Sequence, residues 1–212
     1  MIMKRLFIIG AGSFGREVES WLSCVPPNKR DWELIGYIDS YQDLGNLKFP
    51  SEYKILGNEA TYLFSDNDYA LIAVSNPVIR ERIYNTIRGR VKLFQFIFPG
   101  SIVGKYNEIG EGVIVCPNVV ITTNVKIGLC VIVNVGSQIG HDVQVGEFSS
   151  LMANVDIAGN CDIGKRCLVG SNAVIIPGRK IADDTIVGAG AVVIQNISKN
   201  NCTLFGNPAK FL

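Results

Sequence analysis

A single histidine stands in the 212 residues, and the six cysteines, at positions 24, 116, 130, 161, 167 and 202, form no C-x-x-C pair. A zinc site built on imidazole and thiolate is therefore poorly supplied, and no metal is expected. Reduced core thiols in a cytoplasmic protein are expected instead. Runs of one charge are lacking too: 20 Lys and Arg face 19 Asp and Glu for a net charge of +1. Neither nucleic acid nor a membrane surface finds an electrostatic footprint in such a chain. No long apolar run opens the sequence. Leu6 to Ile9 are flanked by Lys4, Arg5 and Gly10, too short a stretch for a secretory signal or a membrane span, and they read as a first β-strand.

Against these absences stands a period of six. From Ile109 to Val193 every sixth residue is Ile, Leu or Val, fifteen in succession, and Ile97 and Val103 carry the phase upstream. Gly often follows the aliphatic residue (Gly110, Gly128, Gly140, Gly146, Gly164, Gly170, Gly188). The position four on is commonly small or β-branched, as at Val113, Val119, Val125, Ser137, Cys161, Ala173 and Ala191. Each hexad thus has two inward positions. A short strand with an apolar inward residue and a glycine-permitted turn cannot bury its face alone and must stack on copies of itself. The array resembles the hexapeptide-repeat family. That resemblance implies three flat faces, about 18 residues per coil and hence about five coils, wound left-handed against the usual crossover rule. A bare scaffold of the ice-binding kind would need regular ranks of threonine on one outer face, whereas only Thr122, Thr123 and Thr185 fall in the array.

The first half alternates strand and helix: Leu6–Ile9, helical Phe14–Leu22, strand Trp32–Ile38, strand Tyr69–Val74, helical Pro77–Ile87 and a last strand Lys92–Phe98. Pro99-Gly100 marks the passage into the coils. The expected architecture is α/β + β: a small Rossmann-like domain over 1–99, a left-handed parallel β-helix over 100–200, and a C-terminal tail over 201–212. The turn Gly10-Ala-Gly12-Ser13-Phe14-Gly15 fits G-x-G-x-x-G directly after a strand and opens a helix, and Asp39 follows at the end of the next strand. Glycines permit close backbone approach, the helix N-terminus offers N–H groups to phosphate, and the acid can accept from ribose or base. Ser75 and Asn76, after the third strand, fall on the same side of the sheet. The part of the chain that precedes the coils amounts to half of a doubly wound domain, so a nucleotide-linked small molecule suits the turn better than NAD. A tight turn that binds nothing is the alternative.

His141 lies in the hexad Ile139-Gly140-His141-Asp142-Val143-Gln144, where Ile139 and Val143 take the inward positions and the imidazole must point out. A lone imidazole beside an acid suits a general base near neutral pH, with the carboxylate to orient it and stabilise the imidazolium.

With Ile8-Ile9-Gly-Ala-Gly-Ser-Phe-Gly15, Gly36-Tyr-Ile-Asp39, Ile139-Gly-His-Asp-Val143 and the closing Phe205-Gly-Asn-Pro-Ala-Lys210, the whole chain resembles the bacterial sugar acyltransferases. That family includes nucleotide-aminosugar N-acetyltransferases and sialic acid O-acetyltransferases. The resemblance implies a homotrimer with acetyl-CoA in the groove between neighbouring prisms, and a nucleotide-linked amino sugar, a 4-amino-4,6-dideoxyhexose, reaching in from the first domain. It also implies a role in surface glycan assembly. By position His141 matches the catalytic base, Asp142 its adjacent acid and Asn134 a polar residue near the reacting groups. Main-chain groups around Gly159, Ser171 and Ala189 would face the pantetheine arm. Direct attack of the amine on the thioester follows, with a backbone N–H on the oxyanion. An acyl-cysteine is disfavoured, because Cys161 and Cys167 fall on inward positions and no second histidine exists to activate them. Many relatives carry a second histidine after the base where this chain has Ser149 and Ser150, so substrate contacts or the acceptor are open to difference there. Three rivals remain: sialic acid O-acetylation, a non-enzymatic nucleotide sensor, and a zinc carbonic anhydrase of this fold, which would need three imidazoles at a subunit interface.

Overall fold

The computed structural model describes residues 3–40 and 51–212. Contacts divide the chain into two compact units, Met1–Ser75 with Ile79–Phe94, and Asn76–Val78 with Gln95–Leu212.

In the first unit, β1 (Lys4–Ile9), β2 (Trp32–Ile38), β3 (Asp68–Ile72) and β4 (Lys92–Leu93) form one parallel sheet in the order β2-β1-β3-β4. Leu6 to Ile9 are at most 1% exposed, as a continuous apolar run demands when a parallel strand is covered on both faces. Helix α1 (Ser13–Ser23) follows β1 and turns Gly15, Val18 and Leu22 inward. Helix α2 (Pro77–Ile87) follows β3. The order puts a switch point between β1 and β3, whose carboxyl ends are where an open α/β sheet binds its ligands.

The second unit is a parallel β-helix of two-residue strands. Pairing partners lie three hexads apart: Lys126 with Gln144, Ile132 with Ser150, Gln138 with Asp156. Every third strand therefore stacks on one face, and the three faces close around a single core that includes Val133, Ile139, Val143, Leu151, Ile157 and Cys161. Full burial of such a side chain contributes roughly 1.5–3 kcal/mol relative to exposure. Many corners need a left-handed backbone, and residues three past the inward aliphatic supply it: Asn124, Asp142, Asn160 and Asn172 take φ between 55 and 59°. Asn and Asp tolerate that region better than other side chains with a Cβ.

Three expectations change. The strand Lys92–Phe98 is two strands: Lys92–Leu93 pairs with β3, whereas Phe96–Ile97 pairs with Ile114–Val115 of the coils. Phe94 N–H still bonds Ala70, and Phe96 N–H bonds Val113, so the ladder changes sheets between them. The passage at residue 99 accordingly lies inside the coils. The tail over 201–212 is also not a plain tail. Thr203–Phe205 pairs on Ile186–Val187, Lys210–Phe211 folds back antiparallel, and Leu204 and Ala209 join the core, because the last coil's open end would otherwise expose apolar residues.

Candidate active site

His141 sits at a corner of the β-helix, between strands Gln138–Ile139 and Gln144–Val145. Inward Ile139 and Val143, both 0% exposed, fix the backbone so that the imidazole stands outside, 58% exposed. Its Nδ1 lies 2.7 Å from Asp142 Oδ2. A carboxylate can only accept, so Nδ1 carries a proton, and in the neutral ring the lone pair is left to Nε2. Asp142 is itself held: Asn124, one full coil earlier, donates from Nδ2 to its Oδ1 at 2.6 Å. The Asn124 bond first, and that from His141 second, hold the Asp142 carboxyl below its ordinary value, since both favour the charged form. On the other side of the imidazole lies Gly159, one coil later. A Cβ there would stand 2.5 Å from Nε2 and 2.7 Å from Cε1. The Gly159 N–H donates to nothing among the described residues, although its carbonyl accepts from Gly178.

Asn124 escaped the sequence reading, yet a signal existed. Asn124 and Asp142 stand three hexads apart, one coil, so the two share a column of corner positions.

Not all expected residues gather here. Asn134 follows strand Ile132–Val133, at the preceding corner of the same coil, and its Oδ1 accepts from Val135 N–H at 2.7 Å. Within one chain no hydrogen bond joins it to His141 or Asp142. Ser171 and Ala189 stack at that preceding corner too, where Gly190 N–H bonds the Ser171 carbonyl. Gly159 alone of the three expected pantetheine-facing residues shares the His141 edge. Ser149 is part of the wall of the β-helix: fully buried, it donates to the Gly164 carbonyl at 2.7 Å and accepts from Cys167 N–H at 2.9 Å. Ser150 is fully buried as well. Cys161 and Cys167 point inward; burial raises the Cys161 thiol and pushes that of Cys167 up to about 11.

A shallow groove of about 630 Å³ runs along the face after His141, but its charges interlock across coils, as in Lys165–Glu147 at 2.9 Å, and His141 does not line it.

The first unit carries a cleft of about 580 Å³ lined by Gly10, Gly12, Ser13, Phe14, Asp39 and Ser75, among others. Asn76 does not line it. Gly15 lies beneath, where a Cβ would fall 1.9 Å from the Gly10 carbonyl oxygen, so the helix can rest on the turn only without one. Gly12 meets nothing within 4 Å of its own Cβ position; the space above it is open for a ligand to approach the backbone. Gly12 caps α1 without a side-chain bond, leaving the first-turn N–H groups to an anion. Asp39 also braces this turn, its Oδ2 accepting from Ala11 N–H at 2.6 Å, a contact the sequence did not reveal. Arg82 and Glu59 line the same cleft.

Comparison with known proteins follows the same division. Residues 5–87 match the PglD N-terminal domain, and residues 142–177 and 160–195 match the bacterial transferase hexapeptide repeats. The GDP-perosamine N-acetyltransferase of Escherichia coli O157:H7 is 31% identical over 96% of this chain and 94% of its own length. Among solved structures, PerB from Caulobacter crescentus, in complex with CoA and GDP-perosamine, superposes with a TM-score of 0.85 at 27% identity, covering 99% of this chain and 98% of that one. The acetyltransferase domain of PglB from Neisseria gonorrhoeae, in complex with acetyl coenzyme A, gives 0.86 at 25% identity, covering 99% of both.

Proposed function

This chain belongs to the sugar acyltransferases that join a PglD-type N-terminal domain to a left-handed hexapeptide β-helix, and we propose that it transfers the acetyl group of acetyl-CoA to the amine of a nucleotide-linked 4-amino-4,6-dideoxyhexose. The observation that carries the mechanism is the Asp142–His141 pair on an outer corner, with Nε2 in no hydrogen bond among the described residues and, one coil away, an N–H without a partner among them. The amine nitrogen attacks the thioester carbonyl. Gly159 N–H is the donor we assign to the oxyanion, and His141 Nε2 takes the proton that the new ammonium must shed. Collapse of the tetrahedral adduct breaks the C–S bond, and the proton passes to the departing thiolate, giving CoA and the amide. Asp142 stabilises the imidazolium during that interval. No residue is acylated, and no metal takes part.

The cleft at the carboxyl ends of β1 to β3 suits the nucleoside diphosphate: phosphates at the α1 N-terminus, ribose or base toward Asp39. Asn134, Ser171 and Ala189 lie on a different edge of the prism from His141 and Gly159. If both edges serve one acetyl-CoA, they come from neighbouring subunits, which supports a homotrimer with sites in the grooves between prisms. We place the enzyme in the cytoplasm, making precursors for a surface glycan.

Thiol release from acetyl-CoA, followed with a chromogenic disulfide across GDP-, UDP- and dTDP-linked amino sugars and free sialic acid, tests the whole reading. Turnover is expected with a nucleotide amino sugar, the GDP-linked sugar of the relatives being the first to try. Turnover with sialic acid alone would replace the acceptor and the bond formed, and none with any would leave a nucleotide-binding sensor.

A further inference from the structure

We propose that Asn124 is a positioning residue for the reaction: its side-chain amide, one coil before the base, fixes the Asp142 carboxylate so that Asp142 in turn fixes the tautomer and ring plane of His141. The inference rests on the assignment of His141 as the base. Asp142 is one bond removed from a freely turning carboxylate at an exposed corner, and an exposed aspartate has two rotors and two equivalent oxygens. Here each oxygen has a separate partner, Oδ1 the Asn124 amide at 2.6 Å and Oδ2 the His141 Nδ1 at 2.7 Å. The amide removes the rotation that would otherwise let the carboxylate leave the imidazole for water. The backbone is already set, because Asn124 and Asp142 both take the left-handed conformation, at φ 55 and 59°, and coil-to-coil pairing holds the two corners in register. Asn124 N–H goes to the Lys105 carbonyl and Asp142 N–H to the Thr123 carbonyl, leaving both side chains to each other. An asparagine in this column satisfies a left-handed corner by itself, as Asn160 does two coils on from Asn124. What distinguishes Asn124 is where its amide points.

That double role dictates the test. Asn124→Gly keeps the left-handed corner without strain and deletes only the amide, whereas Asn124→Asp keeps the shape and replaces the donor by a second carboxylate facing Asp142. Both variants should remain folded. Because the chain holds one histidine, nitrogen-detected NMR of untagged, ¹⁵N-labelled protein reads the His141 tautomer with no assignment needed. In the wild type the Nδ1–H form dominates. In Asn124→Gly that share falls, and kcat drops about tenfold, the order lost with one charge-assisted hydrogen bond, while KM for acetyl-CoA and for the sugar nucleotide stays put. Asn124→Asp should do no better than Asn124→Gly. Unchanged imidazole shifts with unchanged kcat would overturn the proposal, as would a raised KM at constant kcat, which makes Asn124 a substrate contact. Wild-type turnover in Asn124→Asp would show that only the corner's shape matters. His141→Ala, run beside them, separates the two ideas: if it keeps its turnover the base assignment falls, while the tautomer measurement still reports on Asn124.

Discussion

At the scale of single residues, the corner around His141 is built by contacts from the coil before and the coil after. His141→Ala removes the proposed proton acceptor and should lower kcat by about 10²–10⁴, the usual range for a general base, while the size of the particle in solution stays unchanged; steady-state kinetics and light scattering read the two separately. Gly159 offers a sharper probe. Its φ lies outside the left-handed region, so alanine meets no backbone strain there, but the new Cβ would sit 2.5 Å from Nε2. The imidazole, the far end of a flexible side chain, has to swing away. Gly159→Ala is expected to fold with an unchanged melting temperature and to lose at least tenfold in kcat, roughly the effect of a small misplacement of a catalytic group; a normal kcat would mean the ring is not needed where it lies. The identity of His141 as the candidate base was legible in the sequence, since the repeat phase alone turned it outward. For Asn124 and Gly159 the 18-residue spacing from Asp142 and His141 marks only a shared column; that the side chains touch is decided by the stacked turns, which set where each points.

At the scale of the coil, ion pairs one coil apart, three hexads along the chain, stitch neighbouring turns. Arg166 spans to Asp184 with Nε at 2.6 Å from one carboxylate oxygen and Nη2 at 2.8 Å from the other. Hydrogen bonding by Arg166 holds the Asp184 carboxyl below its ordinary value. A carboxylate depressed in the folded state stabilises above its unfolded pKa, and that contribution is lost as pH falls through the folded one. Asp184→Asn should therefore be less stable than the wild type near neutral pH, by about 0.5–1 kcal/mol for a partly exposed pair. The difference should shrink to nothing as the buffer is taken through the acid carboxylate range. Melting curves of both proteins from neutral to acid pH check this; a gap that persists at low pH would assign the effect to something other than charge. Coils also satisfy their own corners. Ser137 donates to the Met152 carbonyl at 2.8 Å and accepts from Val155 N–H at 3.2 Å, repeating what Ser149 does two hexads later. Hydroxyls at inward positions therefore replace backbone partners, and Ser149, where many relatives carry a second histidine, is part of the wall.

For the whole molecule, the proposed direct transfer, which forms no acyl-enzyme, has a consequence for every thiol. Cys24 is exposed and the other five cysteines are buried. Native protein should react with a chromogenic disulfide at one thiol per chain and at six after denaturation, a stoichiometric background that also calibrates the turnover assay. Substitution of Cys167 by alanine should leave kcat within about twofold, since burial already keeps that thiol protonated and an unactivated thiol is no nucleophile; a large loss confined to kcat would revive the acyl-cysteine route. The sequence by itself determined the β-helix, the nucleotide-type turn and the outward histidine, because each is written locally: a period of six, a glycine spacing after a strand, and a phase that separates inside from outside. Tertiary structure decided the rest. Where strand Lys92–Phe98 breaks, how the last residues cap the coil, that Asn134 stands on another edge from His141, and that Asn124 grips Asp142 all depend on which residues face one another across stacked turns. Those pairings are set by hydrogen-bond register between coils, a relation between distant residues that no local pattern records.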